Sequence, residues 1–115
     1  MADCLFCKVV AGEIPARIAR RTADAVAFYD IDPKAPVHLL VIPTRHVPAV
    51  RNATGAEGEA LLGRLLAFSA DVATELGLDE RGYRIVTNTG PDAGQSVDHL
   101  HLHVLGGRRL GWPPG

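Results

Sequence analysis

Three of the five histidines stand at alternate positions, His99, His101 and His103, interleaved with Leu100, Leu102 and Val104. In an extended strand successive side chains leave opposite faces, so this spacing puts the leucines and the valine on one face and all three imidazoles on the other. His99 to His103 spans roughly 13 Å at ~3.3 Å per residue. Thr, Lys or Glu would solvate an outer face equally well, whereas imidazole titrates next to neutral pH and can donate, accept, bind metal or attack. Two chemistries fit the pattern. In one, His-x-His supplies two ligands of a catalytic zinc ion and a third comes from elsewhere. In the other, one imidazole is a nucleophile, largely unprotonated at neutral pH and needing no strong base to activate it. Phosphorus suits such a nucleophile, because the phosphoimidazolium adduct is reactive enough to be hydrolysed or transferred again. The chemistry then requires a fixed tautomer, donors for the non-bridging oxygens and a proton for the leaving group.

The loop Gly90-Pro91-Asp92-Ala93-Gly94-Gln95-Ser96 lies just before the histidines and can turn backbone N–H groups and the Ser96 hydroxyl toward a phosphate. Composition alone also fits an ordinary hairpin loop. Cys4-Leu5-Phe6-Cys7 is a C-x-x-C without a second pair, hence half a zinc site, or two reduced thiols in the first helical turns.

These residues need elements to position them. Leu5 to Val10 reads as one or two helical turns, followed by the Ala11-Gly12-Glu13-Ile14-Pro15 break. Ala25 to Tyr29 reads as a strand ended by Asp30-Ile31-Asp32-Pro33, and His38 to Ile42 as an apolar strand stopped by Pro43. The long helix starts at Thr54, with Glu57 completing a capping box, carries Leu61, Leu62, Leu65, Leu66, Val72, Ala73 and Leu76, and ends at Gly77. Tyr83 to Thr87 and Asp98 to Leu105 are further strands, and Gly106-Gly107 stops the last. Strands joined by short turns, with room for one crossover helix, predict an α+β domain: an antiparallel sheet covered by helix on one face.

Composition bounds the rest. At 115 residues and 12.2 kDa the chain predicts a single domain over 1–115. With 47% hydrophobic and 22% charged residues it falls in the globular class, and apolar runs as short as Leu39 to Ile42 predict no membrane helix. The N-terminus has no basic segment before an apolar stretch, so no signal peptide is expected. Two cysteines are too few for a disulfide scaffold, which points to the cytoplasm. A net charge of −1, with scattered arginines, argues against a nucleic-acid or membrane binder.

GQSVDHLHLHVLGGRRLGWPPG fits the histidine-triad signature, His-φ-His-φ-His-φ-φ with φ apolar, and resembles the Hint branch of that family, the purine nucleoside phosphoramidases. FCKVVAGEIPARI, AFYDIDPKAPVHLLVIPTRHV and GYRIVTNTG extend the resemblance over nearly the whole chain. It implies an antiparallel sheet of about five strands with one long helix and a short N-terminal helix, a homodimer, and a groove for a purine nucleotide. By that resemblance His101 is the nucleophile at the α-phosphorus, its other nitrogen held by the His99 carbonyl. His103 and His38 contact phosphate oxygens or pass protons, and Ser96 contacts the phosphate or the leaving nitrogen. Asp30 and Asn88 match sugar contacts, Ile31 a wall for the purine, and Gly94, Gln95 and Val97 the remaining loop contacts. His103, where the transferase branch has Gln, favours a hydrolase; Ser96 and the Trp-Pro-Pro-Gly end favour a phosphoramidase over a dinucleoside-polyphosphate hydrolase.

The resemblance further implies no metal cofactor for catalysis, and a structural zinc at Cys4, Cys7, His46 and His99, as in some members of the family. Trp112 would lie on the partner subunit near the leaving group, or else dock on its own subunit. Asp98 stands where better-known members of the branch carry an aromatic residue. A regulatory nucleotide-binding protein with incidental hydrolysis is the alternative of a different class.

Overall fold

The computed structural model describes residues 3–115. Five strands, β1 (Ile18–Arg21), β2 (Ala25–Tyr29), β3 (Val37–Pro43), β4 (Tyr83–Val86) and β5 (Leu102–Gly106), form one antiparallel sheet in the order β1-β2-β3-β5-β4. A short helix, α1 (Leu5–Val10), precedes the sheet. The long helix α2 (Gly55–Glu75) bridges β3 and β4 after a 3-10 turn at Val50–Asn52. Among the described residues no helix is long and apolar enough to cross a membrane.

The central strand explains the layering. In β3 every residue after Val37 is buried, because both sheet faces are covered. Leu39 and Val41 face α2 and pack with Leu61, Leu65, Phe68, Val72 and Ala73, spaced along one face of that helix. Leu40 and Ile42 point the other way, into a second cluster with Phe6 and Val9 of α1 and Val26 and Phe28 of β2. On this second face α1 covers part of the sheet, and the imidazoles are buried beside it. His99 is 0% and His101 4% exposed.

Some expectations need correction. Thr54 is the N-cap of α2, yet its side chain makes no capping hydrogen bond. The last strand begins at Leu102 rather than Asp98, and His99 to His101 approach it as irregular backbone. The β1 strand carried no signal, because Arg20 and Arg21 obscure its alternation and, as an edge strand, it pairs only with β2.

Candidate active site

The register of β3 and β5 builds the histidine face. Leu40 pairs with His103 and Leu39 with Val104, so His38, two residues before Leu40, is a diagonal neighbour of His103 on the α1 side. The backbone leading to His103 is tied down on both sides of His101. Leu100 N–H donates to the Val47 carbonyl at 2.6 Å, and the Thr87 hydroxyl donates to the His101 carbonyl at 2.8 Å.

Hydrogen-bond partners determine where each imidazole carries its proton. His101 Nδ1 lies 2.7 Å from the His99 carbonyl. A carbonyl only accepts, so the proton is on Nδ1 and the Nε2 lone pair is free. His38 Nδ1 accepts the Lys34 backbone N–H at 3.0 Å, which places its proton on Nε2. That Nε2–H donates to His103 Nδ1 at 2.9 Å, with Asp30 Oδ2 3.5 Å away, and leaves the His103 proton on Nε2. Burial, reinforced by neighbouring His101 and His38 and opposed by Asp30, pushes the His103 pKa down to about 4. Burial also holds His38 below the ordinary value, against the pull of Asp30. Both rings are neutral at pH 7, so His103 presents a neutral N–H donor.

Beside these rings lies a mainly apolar hollow of about 180 Å³, lined among others by Leu5, Phe6, Phe28, Asp30, Ile31 and Leu40. Ile31 is fully exposed at its edge. Asp30 is held by an Asx turn, its Oδ1 accepting Asp32 N–H at 2.8 Å. The Phe6 ring stands edge-on to His101 with centroids 5.0 Å apart, so one side chain touches both hollow and imidazole. Sequence reasoning missed Phe6 and Phe28 as site residues; the signal was the apolar stretch around Phe6, read only as helical turns.

A second cluster sits behind His101. One donor atom each from Cys4, Cys7, His46 and His99 lie within 4.8 Å of one another. Cys4 Sγ is 3.4 Å and Cys7 Sγ 3.5 Å from His99 Nδ1, and Cys7 Sγ is 3.3 Å from His46 Nδ1. A tetrahedral zinc ion with bonds of ~2.3 Å to sulfur and ~2.0 Å to nitrogen would separate such donors by about 3.5 Å, so the residues fit it. His99 Nε2–H donates to the Pro43 carbonyl at 3.0 Å, which turns the Nδ1 lone pair toward the cysteines. Asp30, His38 and His103 also converge within 4.8 Å, but there the Lys34 N–H forces the His38 proton onto the converging nitrogen. The first cluster therefore fits a cation, while in the second the His38 and His103 nitrogens share a hydrogen bond. The triad divides between them: His99 faces the cysteines and His103 pairs with His38.

The remaining predicted residues occupy varied positions. Gln95 closes the loop: its side chain accepts Gly90 N–H and donates to the Pro48 and Val97 carbonyls. Gly94 and Gln95 N–H groups are also bonded within the loop, so the expected phosphate cradle narrows toward Ser96 and Val97. Val97 is half-buried against the α1-side cluster. The exposed Ser96 makes no hydrogen bond to the imidazoles and lines a separate hollow of about 460 Å³ with Asp3, Cys4, His46 and the exposed Asp98. Asn88 is half-buried just beyond β4. Trp112 is 82% exposed, its ring 5.9 Å from the Arg84 guanidinium, and Arg84 donates to the Gly111 carbonyl at 2.9 Å.

Comparison with known proteins agrees with this geometry. The HIT domain family model matches residues 11–110. An uncharacterized HIT-like protein of Synechococcus elongatus is 51% identical over 113 residues, covering 98% of this chain and 97% of that protein. The purine nucleoside phosphoramidase of Escherichia coli is 43% identical over 109 residues, covering 95% and 91%. A crystal structure of a HIT family hydrolase from Legionella pneumophila superposes with a TM-score of 0.94 at 44% identity, covering 98% of this chain and 100% of that one. With a fold and a sequence shared across nearly its full length, the chain belongs to the HIT family.

Proposed function

We propose that the protein is a purine nucleoside phosphoramidase, hydrolysing the P–N bond of adenosine or guanosine 5′-phosphoramidates through a nucleotidyl-His101 intermediate. The observation that carries this reading is the bare Nε2 of His101, whose Nδ1 proton is committed to the His99 carbonyl at 2.7 Å. Nε2 attacks the α-phosphorus, the P–N bond breaks, and the amine leaves with one proton drawn from solvent and relayed through the His38–His103 pair, whose rings end neutral. Water then attacks the adduct, returns one proton to solvent, and releases the nucleoside monophosphate and neutral His101. The His103 N–H stabilises the phosphate oxygens, and the Ser96 hydroxyl meets the phosphate or the leaving nitrogen. The apolar hollow takes the purine against Ile31, with Asp30 and Asn88 on the sugar.

Turnover of adenosine 5′-phosphoramidate tests the reading. His101→Ala should bind adenosine monophosphate near wild-type affinity and lose at least ~10³-fold in kcat. Near wild-type hydrolysis by that variant would exclude the mechanism. A diadenosine polyphosphate as competing substrate separates the phosphoramidase from the polyphosphate hydrolase, which differ only in leaving group.

The same reading includes a structural zinc held by Cys4, Cys7, His46 and His99, supported by the donor spacing and the His99 tautomer. Elemental analysis of protein purified without chelator should find zinc in the wild type and none in Cys4→Ser/Cys7→Ser. A cytoplasmic homodimer completes it, supported by the exposure of Trp112, an apolar ring left for a partner subunit to cover.

A further inference from the structure

The cysteine–histidine cluster reaches His101 by two routes. The first runs through the His99 peptide. The His99 ring is anchored at one nitrogen by the Pro43 carbonyl, at 3.0 Å, and faces both cysteines with the other. Its own carbonyl holds His101 Nδ1. Because β5 starts only at Leu102, that carbonyl lies outside the strand ladder and depends on anchorage of its side chain.

The second route runs through α1. This helix has six residues, too few for stability by itself. Cys4 caps it, Sγ accepting Cys7 N–H at 3.4 Å, and Cys7 ends its first turn. Between them in sequence, Phe6 packs edge-on to His101 at 5.0 Å, His99 at 6.0 Å and Phe28 at 5.6 Å between centroids. A staple serving stability alone would need neither link.

We propose that Cys4, Cys7 and His46 are positioning residues for the nucleophile: by holding the His99 ring and seating Phe6, the assembled cluster sets the orientation of the attacking imidazole. The inference rests on the nucleotidyl-His101 reading. It predicts that dismantling the cluster lowers kcat by roughly 10- to 100-fold, because small misplacements of a reacting group are costly.

The test uses the full-length chain in four forms: as purified, stripped by chelator, His46→Ala, and Cys4→Ser/Cys7→Ser. Val10→Ala, which loosens the packing of α1 without touching a donor atom or the hollow, is the control for stability. Ring nitrogen NMR reads the His101 tautomer, and adenosine 5′-phosphoramidate turnover reads kcat and KM. Expected are a single Nδ1–H tautomer in the purified protein and in Val10→Ala, and mixed tautomers with reduced kcat in the other three. Zinc added back should restore the stripped wild type but not the double variant.

The proposal is overturned if stripped protein and His46→Ala keep both the tautomer and kcat. It is equally overturned if Val10→Ala loses as much kcat at the same drop in melting temperature. Should the double variant not fold, chelation and His46→Ala decide. Should the wild type hydrolyse no phosphoramidate, the functional reading fails, while the tautomer still tests the positioning.

Discussion

At the scale of single residues, the site works by committing protons to particular nitrogens. His101 cannot turn its Nδ1 proton outward without abandoning the His99 carbonyl, and His38 cannot accept at Nε2 while Lys34 N–H occupies Nδ1. The depressed pKa of His103 has a consequence for pH dependence. The folded state holds this ring neutral down to about 4, while in the unfolded chain it takes a proton near 6.5. Stability from this residue is therefore present above pH 6.5 and lost as pH falls from there toward 4, then levels off. The linkage amounts to at most roughly 3 kcal/mol. Melting temperature measured against pH should fall across that window, and His103→Gln should flatten the slope.

At the scale of elements, the two faces of β3 separate stability from function. Leu65, 1% exposed, belongs to the α2 side. Leu65→Ala should cost about 2–5 kcal/mol through the cavity it leaves and lower the melting temperature, with kcat and KM unchanged while the protein stays folded. Phe6 belongs to the other side and lines the hollow as well as touching His101. Phe6→Ala should lower stability and also raise KM for the nucleotide several-fold, roughly 1 kcal/mol or more of lost apolar contact. Steady-state kinetics beside thermal melts on both variants checks the division. The end of β5 adds a steric requirement. A Cβ on Gly107, at φ +89, would stand 2.9 Å from Pro36 Cβ, so glycine lets the loop after β5 close on the loop that delivers Lys34 to His38.

At the scale of the whole molecule, the tail from 111 to 115 is exposed throughout. Trp112 is held through Arg84 and the Gly111 carbonyl and presents most of its ring outward. A large exposed aromatic fits an interface better than solvent. Sedimentation equilibrium should give twice the 12.2 kDa chain mass. Removing residues 111–115 should raise KM for phosphoramidates with bulky amines while leaving adenosine monophosphate binding unchanged. A monomer whose tail truncation has no kinetic effect would remove the partner's tail from the site.

Much of this was legible in the chain because periodicity is local. Alternation at 99–104 separated the imidazoles from Leu100, Leu102 and Val104, apolar runs marked β2 and β3, and helical spacing marked α2. Edge strand β1 was not legible, since its register is imposed by β2 and not by an apolar face of its own. Nor were the chemical states of the imidazoles. Proton placement on His38 and His101 depends on which backbone groups the folded chain brings against each ring. Cys7 meets His46 across 39 positions and His99 across 92, and Phe6 reaches His101 only when α1 lies on the sheet. Local pattern selects a side chain's face, whereas its partner there is selected by packing between distant segments, and only the tertiary structure contains that information.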